Sequence, residues 1–421
     1  MFYKCAEAET LQQRAERRGG VQLYASAAQS FERAIAIGQS VAPKPEKDRL
    51  QDCRCLLGEV QQVWAEEILR TCERLPDSEL NMAKEKEAKQ AASGLFDAAV
   101  RNYQSVRDES DGEGAENIRL DALVNCGNTL SSWGELMASS LSDDGRSQAR
   151  LLFQNAEACY VAAIDKEDDC STWNNLGDSL IQQAEYEAAE GDAAHVFYRA
   201  LHAYERACAL SSSENGDNLP ALLCDWGAGL LAFANTVEDI EFSQKLLVEA
   251  QKRLHQAISF DRASNAPFNA LGDVYVAMYE NCMKVSDHNG AMECLSKAYD
   301  EGYNASLRIQ VTNVDALIGI AEVMSEKAKA ERALLKVDDA SSSLEQAVAM
   351  YEKAISSSMF QGSLRARSDV LYNLACCHAL LGQSERAIAI LNKILHWETI
   401  QVDDILGDQD LQNVHPFFAR Q

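Results

Sequence analysis

The 421-residue chain is poor in proline, in basic residues and in long apolar runs, and each shortage excludes a class of protein. It has only 6 prolines and 22 glycines, too few for a Pro/Gly-rich disordered chain or for a β-sandwich with many turns. Its 39 Lys and Arg stand against 65 Asp and Glu, which gives a formal net charge of −26. Because phosphate backbones and anionic membrane surfaces are bound through excess positive charge, the composition predicts neither nucleic-acid binding nor adsorption to a membrane.

No targeting or membrane-spanning segment is visible in the sequence. The N-terminal stretch lacks the apolar core of a signal peptide. The most apolar stretch, 221–234, is interrupted by Asp225 and is shorter than the ~20 residues that a span needs. The 13 cysteines lack the compact, even spacing of a secreted disulfide scaffold. We therefore expect reduced, mostly buried cysteines in a soluble intracellular protein without direct membrane insertion. Its compartment would be the cytoplasm or, for a processed chain, an organelle such as a plastid or mitochondrion.

Two helical patterns recur along the chain. The first, Ala-x-x-x-aromatic/Leu-x-x-small, places three side chains on one stripe, because residues i, i+4 and i+7 share a helix face. It occurs at Ala27–Phe31–Ala34, Ala99–Tyr103–Val106, Ala156–Tyr160–Ala163, Ala200–Tyr204–Ala207, Ala250–Leu254–Ala257, Ala291–Leu295–Ala298, Ala347–Tyr351–Ala354 and Ala387–Leu391–Ile394. The second, apolar-x-x-apolar-Gly/Ala-x-x-large, precedes the last six of these stripes and has its small residue at Gly127, Gly177, Gly227, Gly272, Ala321 and Ala375.

Each pair of patterns predicts a helical hairpin. The small residue of the first helix allows the second helix to approach closely, and the stripe of the second helix packs against the first helix and its neighbour. A single hairpin cannot bury both of its faces, so hairpins of this kind must stack on one another. The small residues recur at intervals of 50, 50, 45, 49 and 54 residues, which is typical of an all-α repeat protein.

This pairing resembles the tetratricopeptide repeat (TPR) family. The closest stretch runs from Ala257 to Tyr275, and Trp173-Asn-Asn-Leu-Gly177 and Tyr372-Asn-Leu-Ala375 are also good matches. The resemblance implies an all-α, right-handed α-solenoid of about eight stacked antiparallel helix hairpins, a TPR-like superhelix. Five of the six gaps between the two patterns carry 7 to 17 residues more than the family's standard repeat. These repeats are therefore divergent, and we expect lengthened helices that protrude at one edge.

The chain is expected to fall into four segments. Residues 1–107 would form divergent TPR-like helices, 108–118 an acidic flexible loop, 119–396 the main TPR-like array and 397–421 a C-terminal cap. The loop is assigned because its sequence is polar, acidic and rich in glycine. The cap is expected because a solenoid must cover its exposed last face, and the tail ends with the apolar pair Phe417-Phe418.

Catalytic and cofactor motifs are mostly absent. The sequence lacks a phosphate-binding glycine loop, a zinc-protease motif and a nucleophile elbow, so we predict no enzyme, no cofactor and no metal site. The densest thiol–imidazole cluster is Cys376-Cys377-His378. Consecutive helical residues diverge by about 100°, so these three cannot converge on one metal, and we interpret them as packed side chains. A metal- or thiol-dependent enzyme at this cluster remains a less favoured alternative. We also interpret Trp173 and Trp226 as core residues.

The best candidate binding surface is the inner face of the first helix of each hairpin. Its polar residues next to the packing motif are Asn125, Asn128, Asn174, Asn175, Asp178, Asp225, Asn269, Asp273 and Asn373. An amide offers both a donor and an acceptor, which suits the backbone of an extended peptide, and the resemblance implies this role for Asn175 and Asn373. In the alternative interpretation these amides cap or bridge helices within the scaffold.

The distribution of charge along the chain indicates which kind of partner to expect. Residues 121–303 carry 29 acidic and 11 basic side chains, and such a field steers basic partners. The TPR clamp for acidic chaperone C-termini needs Lys and Arg, but the corresponding positions include Val124, Ala221 and Asp225, so that ligand is not expected. We predict a non-enzymatic scaffold or assembly factor that binds a basic or neutral protein segment. The alternative is a permanent structural subunit of a large complex, for example an organellar or photosynthetic assembly.

Overall fold

The computed structural model is helical in all of its regular elements, within the part of the chain that it describes. The described residues are 2–18, 20–41, 47–76, 80–109, 116–139, 143–188, 193–214, 218–357 and 359–419. The helices up to residue 214 are α1 (Phe2–Arg18), α2 (Val21–Val41), α3 (Lys47–Glu73), α4 (Met82–Glu109), α5 (Glu116–Ala138), α6 (Asp143–Ile164), α7 (Cys170–Ala188) and α8 (Ala194–Glu214). Then come α9 (Leu219–Thr236), α10 (Ile240–Phe260), α11 (Ala266–Lys284), α12 (His288–Lys297), a π-helical segment (Ala298–Tyr303), α13 (Asn304–Ile309), α14 (Val314–Ala333), α15 (Val337–Ser356), α16 (Leu364–Leu380), α17 (Ser384–His396), α18 (Val402–Gly407), a 3₁₀ turn (Gln409–Leu411) and α19 (His415–Phe418). None of these helices has both the length and the apolar content that a membrane crossing would require, among the residues described.

The chain forms two compact units. Unit 1 comprises residues 1–75 and 83–216, and unit 2 comprises 76–82 and 217–421. Unit 1 contains the hairpins α1/α2, α3/α4, α5/α6 and α7/α8. Unit 2 contains α9/α10, α11 with α12 to α13, α14/α15 and α16/α17. The described residues therefore contain eight hairpins, as the sequence predicts.

The predicted stripes form the core of these hairpins. Every residue of the eight stripes is buried, with no side chain more than 2% exposed. The large side chains Tyr103, Tyr160 and Tyr351 are among the largest fully buried residues of the protein. Burying side chains of this size removes most of their apolar area from water and stabilises each by about 1.5–3 kcal/mol. The TPR-like packing expected from the sequence is confirmed.

Several helices begin where their sequence provides a local start signal. The side chains of Asp239, Asn313 and Ser363 accept hydrogen bonds from backbone amides in the first turns of α10, α14 and α16, which satisfies donors that the helix itself leaves unpaired. Pro220 and Pro267 occupy the first turns of α9 and α11, where a missing amide hydrogen costs nothing. The local sequence therefore favours the start of each of these helices at the observed residue.

The lengthened helices are also confirmed. The sequence predicts helix over 179–190 and 193–210, and the structure has α7 ending at Ala188 and α8 spanning Ala194–Glu214. The polar turn predicted at 284–290 lies between α11 and α12, although α12 already begins at His288. The sequence also predicts a polar turn over 141–147, of which residues 143–147 belong to α6. Residues 140–142 lie outside the described residues.

The segment 108–118, expected as an acidic flexible loop, lies between α4 and α5 along the chain. That segment falls inside unit 1, and residues 110–115 lie outside the described residues. The helices on either side of it, α4 and α5, are joined directly, because the Trp133 indole donates to the Ser93 hydroxyl over 2.8 Å. The assignment of 108–118 as a flexible loop stays a prediction, and the change from unit 1 to unit 2 lies near residue 217.

The C-terminal segment packs on the last hairpin of unit 2. Ile405, Leu411, Val414 and Phe418 are at most 1% exposed, whereas Phe417 is 41% exposed. The Asn413 amide donates to the backbone carbonyl of α16 at residue 379 over 3.1 Å. Only one ring of the Phe-Phe pair is therefore buried, and the role of 397–421 as a cap stays a prediction.

Two expectations about individual side chains are wrong. Cys5 on α1 and Cys53 on α3 are paired as a disulfide, because the packing of those helices brings together two sulfurs that are 48 residues apart in sequence.

Trp173 and Trp226 are half-buried instead of buried in the core. Each lies under a guanidinium, that of Arg206 at 5.9 Å and that of Arg253 at 3.7 Å from the ring centroid, a contact that favours partly exposed indoles.

Candidate functional site

Tyrosine rings packed on small residues set the spacing between the helices of several hairpins. A Cβ atom added to Gly127, Gly177 or Gly272 would lie 2.6–2.7 Å from the rings of Tyr160, Tyr204 and Tyr303, respectively. Real Cβ atoms do not approach carbon atoms this closely, so only glycine permits the observed contact. The third ring does not come from the stripe residue Leu295. The π-helical segment instead places Tyr303 over Gly272.

The hydroxyls of these tyrosines bind the residue that follows each glycine. They donate to Asn128 and Asp178 over 2.8 Å and to Asp273 over 2.6 Å. Where the second helix has Leu254 in place of tyrosine, the residue after Gly227 is Ala228, which has no acceptor. Three residues predicted as ligand contacts are therefore held by the second helix of their own hairpin.

The hydrogen bond between Tyr160 and Asn128 should appear as coupling between the two side chains. We expect Tyr160→Phe and Asn128→Ala each to lower the free energy of unfolding, and the double variant to lose about 1 kcal/mol less than the sum. The reason is that Asn128→Ala alone leaves the Tyr160 hydroxyl without this acceptor, whereas the double variant has no hydroxyl there to satisfy. Chemical denaturation of the four proteins measures this coupling, and strictly additive losses would contradict it.

The other predicted amides also bridge helices. Asn125 donates to Glu59 on α3, Asn175 donates to Asn128 on α5 over 3.1 Å, and Asn269 donates to Asn313 beside α14 over 3.1 Å. Asn174 donates along its own helix to Asp178 over 3.3 Å. The contacts of Asn125, Asn175 and Asn269 agree with the alternative interpretation, in which these amides bridge helices within the scaffold. Binding of a ligand backbone by these residues, and by the half-buried Asp225 on α9, stays a prediction.

A cleft in unit 2, here called the first cleft, brings predicted and unpredicted residues together. It encloses about 250 Å³ between α9, α11 and α14. Its polar lining comprises Asn235, Ser243, Asp273, Glu280, Asn281, Lys284, Tyr303 and Glu322. The cleft is therefore a polar depression in which carboxylates outnumber the single lysine of its described lining.

A second cleft, of about 160 Å³, lies further along the same unit between α14, α16 and the C-terminal segment. Its polar lining comprises Glu322, Ser325, Glu326, Lys329, Tyr351, Tyr372, Asn373, Cys376, Asp408 and Asp410. Lys329 pairs with Glu326 over 2.8 Å and with Asp410 over 2.9 Å. The C-terminal segment thus contributes the carboxylates of Asp408 and Asp410 to this cleft, and Lys329 of α14 partly neutralises the cleft.

Glu322 is the residue shared by the two clefts. Burial, together with the nearby carboxylates of Asp273 and Glu326, raises the pKa of Glu322 to about 7. Burial also raises the pKa of Asp273, although the hydrogen bond from Tyr303 opposes the shift. Burial and neighbouring negative charge both disfavour the ionised form of a carboxylate. Near neutral pH, the residues around Glu322 and Asp273 therefore stabilise the negative charge of these two side chains poorly.

Glu322 was missed by sequence reasoning, although a signal for it was present. It directly follows Ala321, just as Asp273 follows Gly272, so both occupy the same position of the repeat. The predicted surface was restricted to Asn and Asp side chains, which excluded a longer carboxylate at an equivalent position. Asn373, the predicted residue of α16, does line the second cleft and is hydrogen-bonded to Tyr351.

The Cys376-Cys377-His378 cluster is packed as side chains of the core. All three residues are buried. Burial raises the pKa of both thiols, that of Cys377 to about 11. The His378 ring hydrogen-bonds Gln383 over 2.8 Å, and burial lowers its pKa. The cluster therefore provides no thiolate at neutral pH, and nowhere in the described ranges do three His, Cys, Asp or Glu side chains form a group that could hold a metal ion.

Comparison with known proteins found similarity only among solved structures; no family model and no curated protein matches the chain. One similar structure is TTC0263, a thermophilic TPR protein of Thermus thermophilus, at 18% identity over 57% of this chain and 100% of that chain, with a TM-score of 0.31. Another is the nuclear import adaptor Nro1 of S. pombe, at 12% identity over 75% and 98%, with a TM-score of 0.39. A circular tandem repeat protein is similar at 12% identity over 99% and 95%, with a TM-score of 0.34. Similarities this low transfer no function to the chain.

Proposed function

We propose that the protein is a non-enzymatic scaffold whose unit 2 binds a basic segment of a protein partner across the first and second clefts. The observation that carries the proposal is the raised pKa of Glu322, which burial and two neighbouring carboxylates bring to about 7. An ammonium or guanidinium group from a partner would favour the ionised form and relieve the repulsion. The lining also has the amides Asn235 and Asn281, which suit polar backbone or side-chain groups.

The charge distribution supports a basic partner over an acidic one. In the first cleft Asp273, Glu280 and Glu322 face one lysine of the described lining, Lys284. A surface of this sign attracts cationic segments and speeds their encounter, with a dependence on salt that neutral contacts lack. An acidic peptide would add negative charge to a site in which burial and neighbouring carboxylates already raise the pKa of Glu322.

Binding of a basic peptide should be weakened selectively by removing charge from the clefts. With a lysine- and arginine-rich peptide as the probe, we expect Glu322→Gln to weaken binding by roughly tenfold, equivalent to about 1.4 kcal/mol. Glu345→Gln is the matched control at pH 8, because Glu345 is an exposed residue of α15 and Glu322, with a pKa of about 7, is mostly ionised at that pH. Calorimetry or fluorescence anisotropy at low and high salt gives the measurement.

Two results would contradict the proposal. One is affinity for the peptide that persists unchanged up to molar salt, because electrostatic attraction is screened under those conditions. The other is equal weakening by both variants, which would mean that overall charge, and not the clefts, determines binding. An acidic peptide of the same length should bind more weakly than the basic one.

A further inference from the structure

Two cysteines face each other across the hairpin of α11 and α12. Cys282 lies in the last turn of α11, and Cys294 lies in α12. Among the eleven described cysteines outside the disulfide, eight are buried and three are partly exposed, namely Cys224, Cys282 and Cys294. Two of these three partly exposed thiols thus belong to one hairpin.

The geometry of the hairpin brings these thiols into contact. A Cβ atom added to Gly290, near the start of α12, would lie 3.2 Å from the sulfur of Cys282. Cys282 therefore packs on α12 itself. Cys294 follows Gly290 by four residues and lies on the same face of the helix. The side chains of Cys282 and Cys294 are hydrogen-bonded to one another.

The environment of Cys294 differs from that of an isolated thiol. Burial, the charge of Cys282 and the hydrogen bond to Cys282 raise the pKa of Cys294 to about 11. Cys294 consequently keeps its proton at neutral pH, and its S–H group can donate to the sulfur of Cys282. The hairpin therefore places a protonated Cys294 directly beside the sulfur of Cys282.

We propose that Cys282 and Cys294 form a reversible dithiol–disulfide site that reacts with small disulfides such as oxidised glutathione. The Cys282 thiolate attacks one sulfur of the oxidant, forms a mixed disulfide and releases one thiolate. Cys294 then loses its proton to solvent and attacks the Cys282 sulfur, which releases the second thiolate. The two protein sulfurs lose two electrons and two protons in total, and the oxidant is reduced to two thiols.

The consequence would be a covalent link beside the first cleft. Asn281 and Lys284, on either side of Cys282 in the last turn of α11, both line that cleft. A disulfide to Cys294 would tie this turn of α11 to α12. The site is independent of the basic-segment proposal, because its chemistry needs only the two thiols and an oxidant.

The test is oxidation of the full-length protein with oxidised glutathione, followed by peptide mapping without reduction. We expect a peptide pair joined through Cys282 and Cys294 that dithiothreitol separates. In Cys294→Ser the reaction should stop at the mixed disulfide on Cys282, because the resolving thiol is absent. Cys282→Ser should lose the joined pair, whereas Cys224→Ser, which removes the third partly exposed thiol, should leave it unchanged.

Two outcomes would overturn the proposal. One is modification of Cys224 while Cys282 and Cys294 stay unmodified in the same sample. The other is a mixed disulfide on Cys282 that persists in the unaltered protein, which would place Cys294 out of reach of attack. Hydrogen exchange of α11 and α12 gives a second readout, since the joined form should exchange more slowly than the reduced form and dithiothreitol should reverse the change.

Discussion

Replacing Gly302 with alanine is expected to lower the free energy of unfolding of unit 2 by about 1–2 kcal/mol. Gly302 lies in the π-helical segment, and a Cβ atom there would be 2.5 Å from the Cα atom and 2.7 Å from the nitrogen of Gly272. Both contacts are to backbone, so no side chain can rotate away to relieve them. Overpacking of this kind typically costs ~1–3 kcal/mol and exceeds the ~1 kcal/mol that alanine gains over glycine in a helix.

The matched control for this variant is Gly407→Ala. Gly407 ends α18 in the same unit, and a Cβ atom added there would meet no atom within 4 Å. We expect that variant to keep or slightly raise stability. Chemical denaturation, combined with hydrogen exchange of peptides from α11, locates the effect in unit 2. Equal stability of Gly302→Ala and the unaltered protein would mean that α11 and the π-helical segment are further apart than described.

Replacing Glu322 with glutamine is expected to stabilise unit 2 at pH 8 and to change its stability little near pH 5. In the folded protein the pKa of Glu322 is raised from 4.5 to about 7, so the folded state holds a proton that the unfolded chain has already lost. The stabilisation from this proton is fully present below pH 4.5 and is lost as the pH rises through 7. Glutamine resembles the protonated acid at every pH, which gives an expected gain of about 1–3 kcal/mol at pH 8.

Urea denaturation of both proteins at pH 5, 6.5 and 8 measures this difference. Glu345→Gln is again the control, and its effect should not vary over that range because Glu345 is exposed. A stabilisation that is the same at all three pH values, or a loss of stability at pH 8, would contradict the prediction. Saturating basic peptide should reduce the advantage of the glutamine variant at pH 8, because a bound cation stabilises the ionised Glu322.

Much of the fold could be predicted because it depends on local periodicity. The stripes around Phe31, Tyr160 and Leu391 were assigned from spacing alone, and all are buried. The hairpin α3/α4 could not be placed in register from the sequence, because its first helix has only Leu56-Leu57-Gly58 as a motif. The structure supplies the register, since a Cβ atom on Gly58 would lie 2.7 Å from the ring of Tyr103.

The candidate site could be predicted only in part. Asp273 and Asn373 were identified and do line the clefts, because position in the repeat fixes which helix face a residue occupies. The same rule selected Asn128 and Asn175, but it could not show that they hydrogen-bond each other over 3.1 Å. That contact depends on the offset between neighbouring hairpins, for which a single sequence contains no direct signal.

The sequence by itself determined that the chain forms helical hairpins with small residues at their contacts, because side-chain spacing along one helix is a local property. The tertiary structure alone decided which polar groups remain available for a ligand. Tyr303 reaches Asp273 only because a π-helical segment shifts it onto Gly272, and Glu322 has a raised pKa because packing buries it and places Asp273 and Glu326 near it. Both effects arise from distances between helices, which follow from packing and not from the order of residues within any one of them.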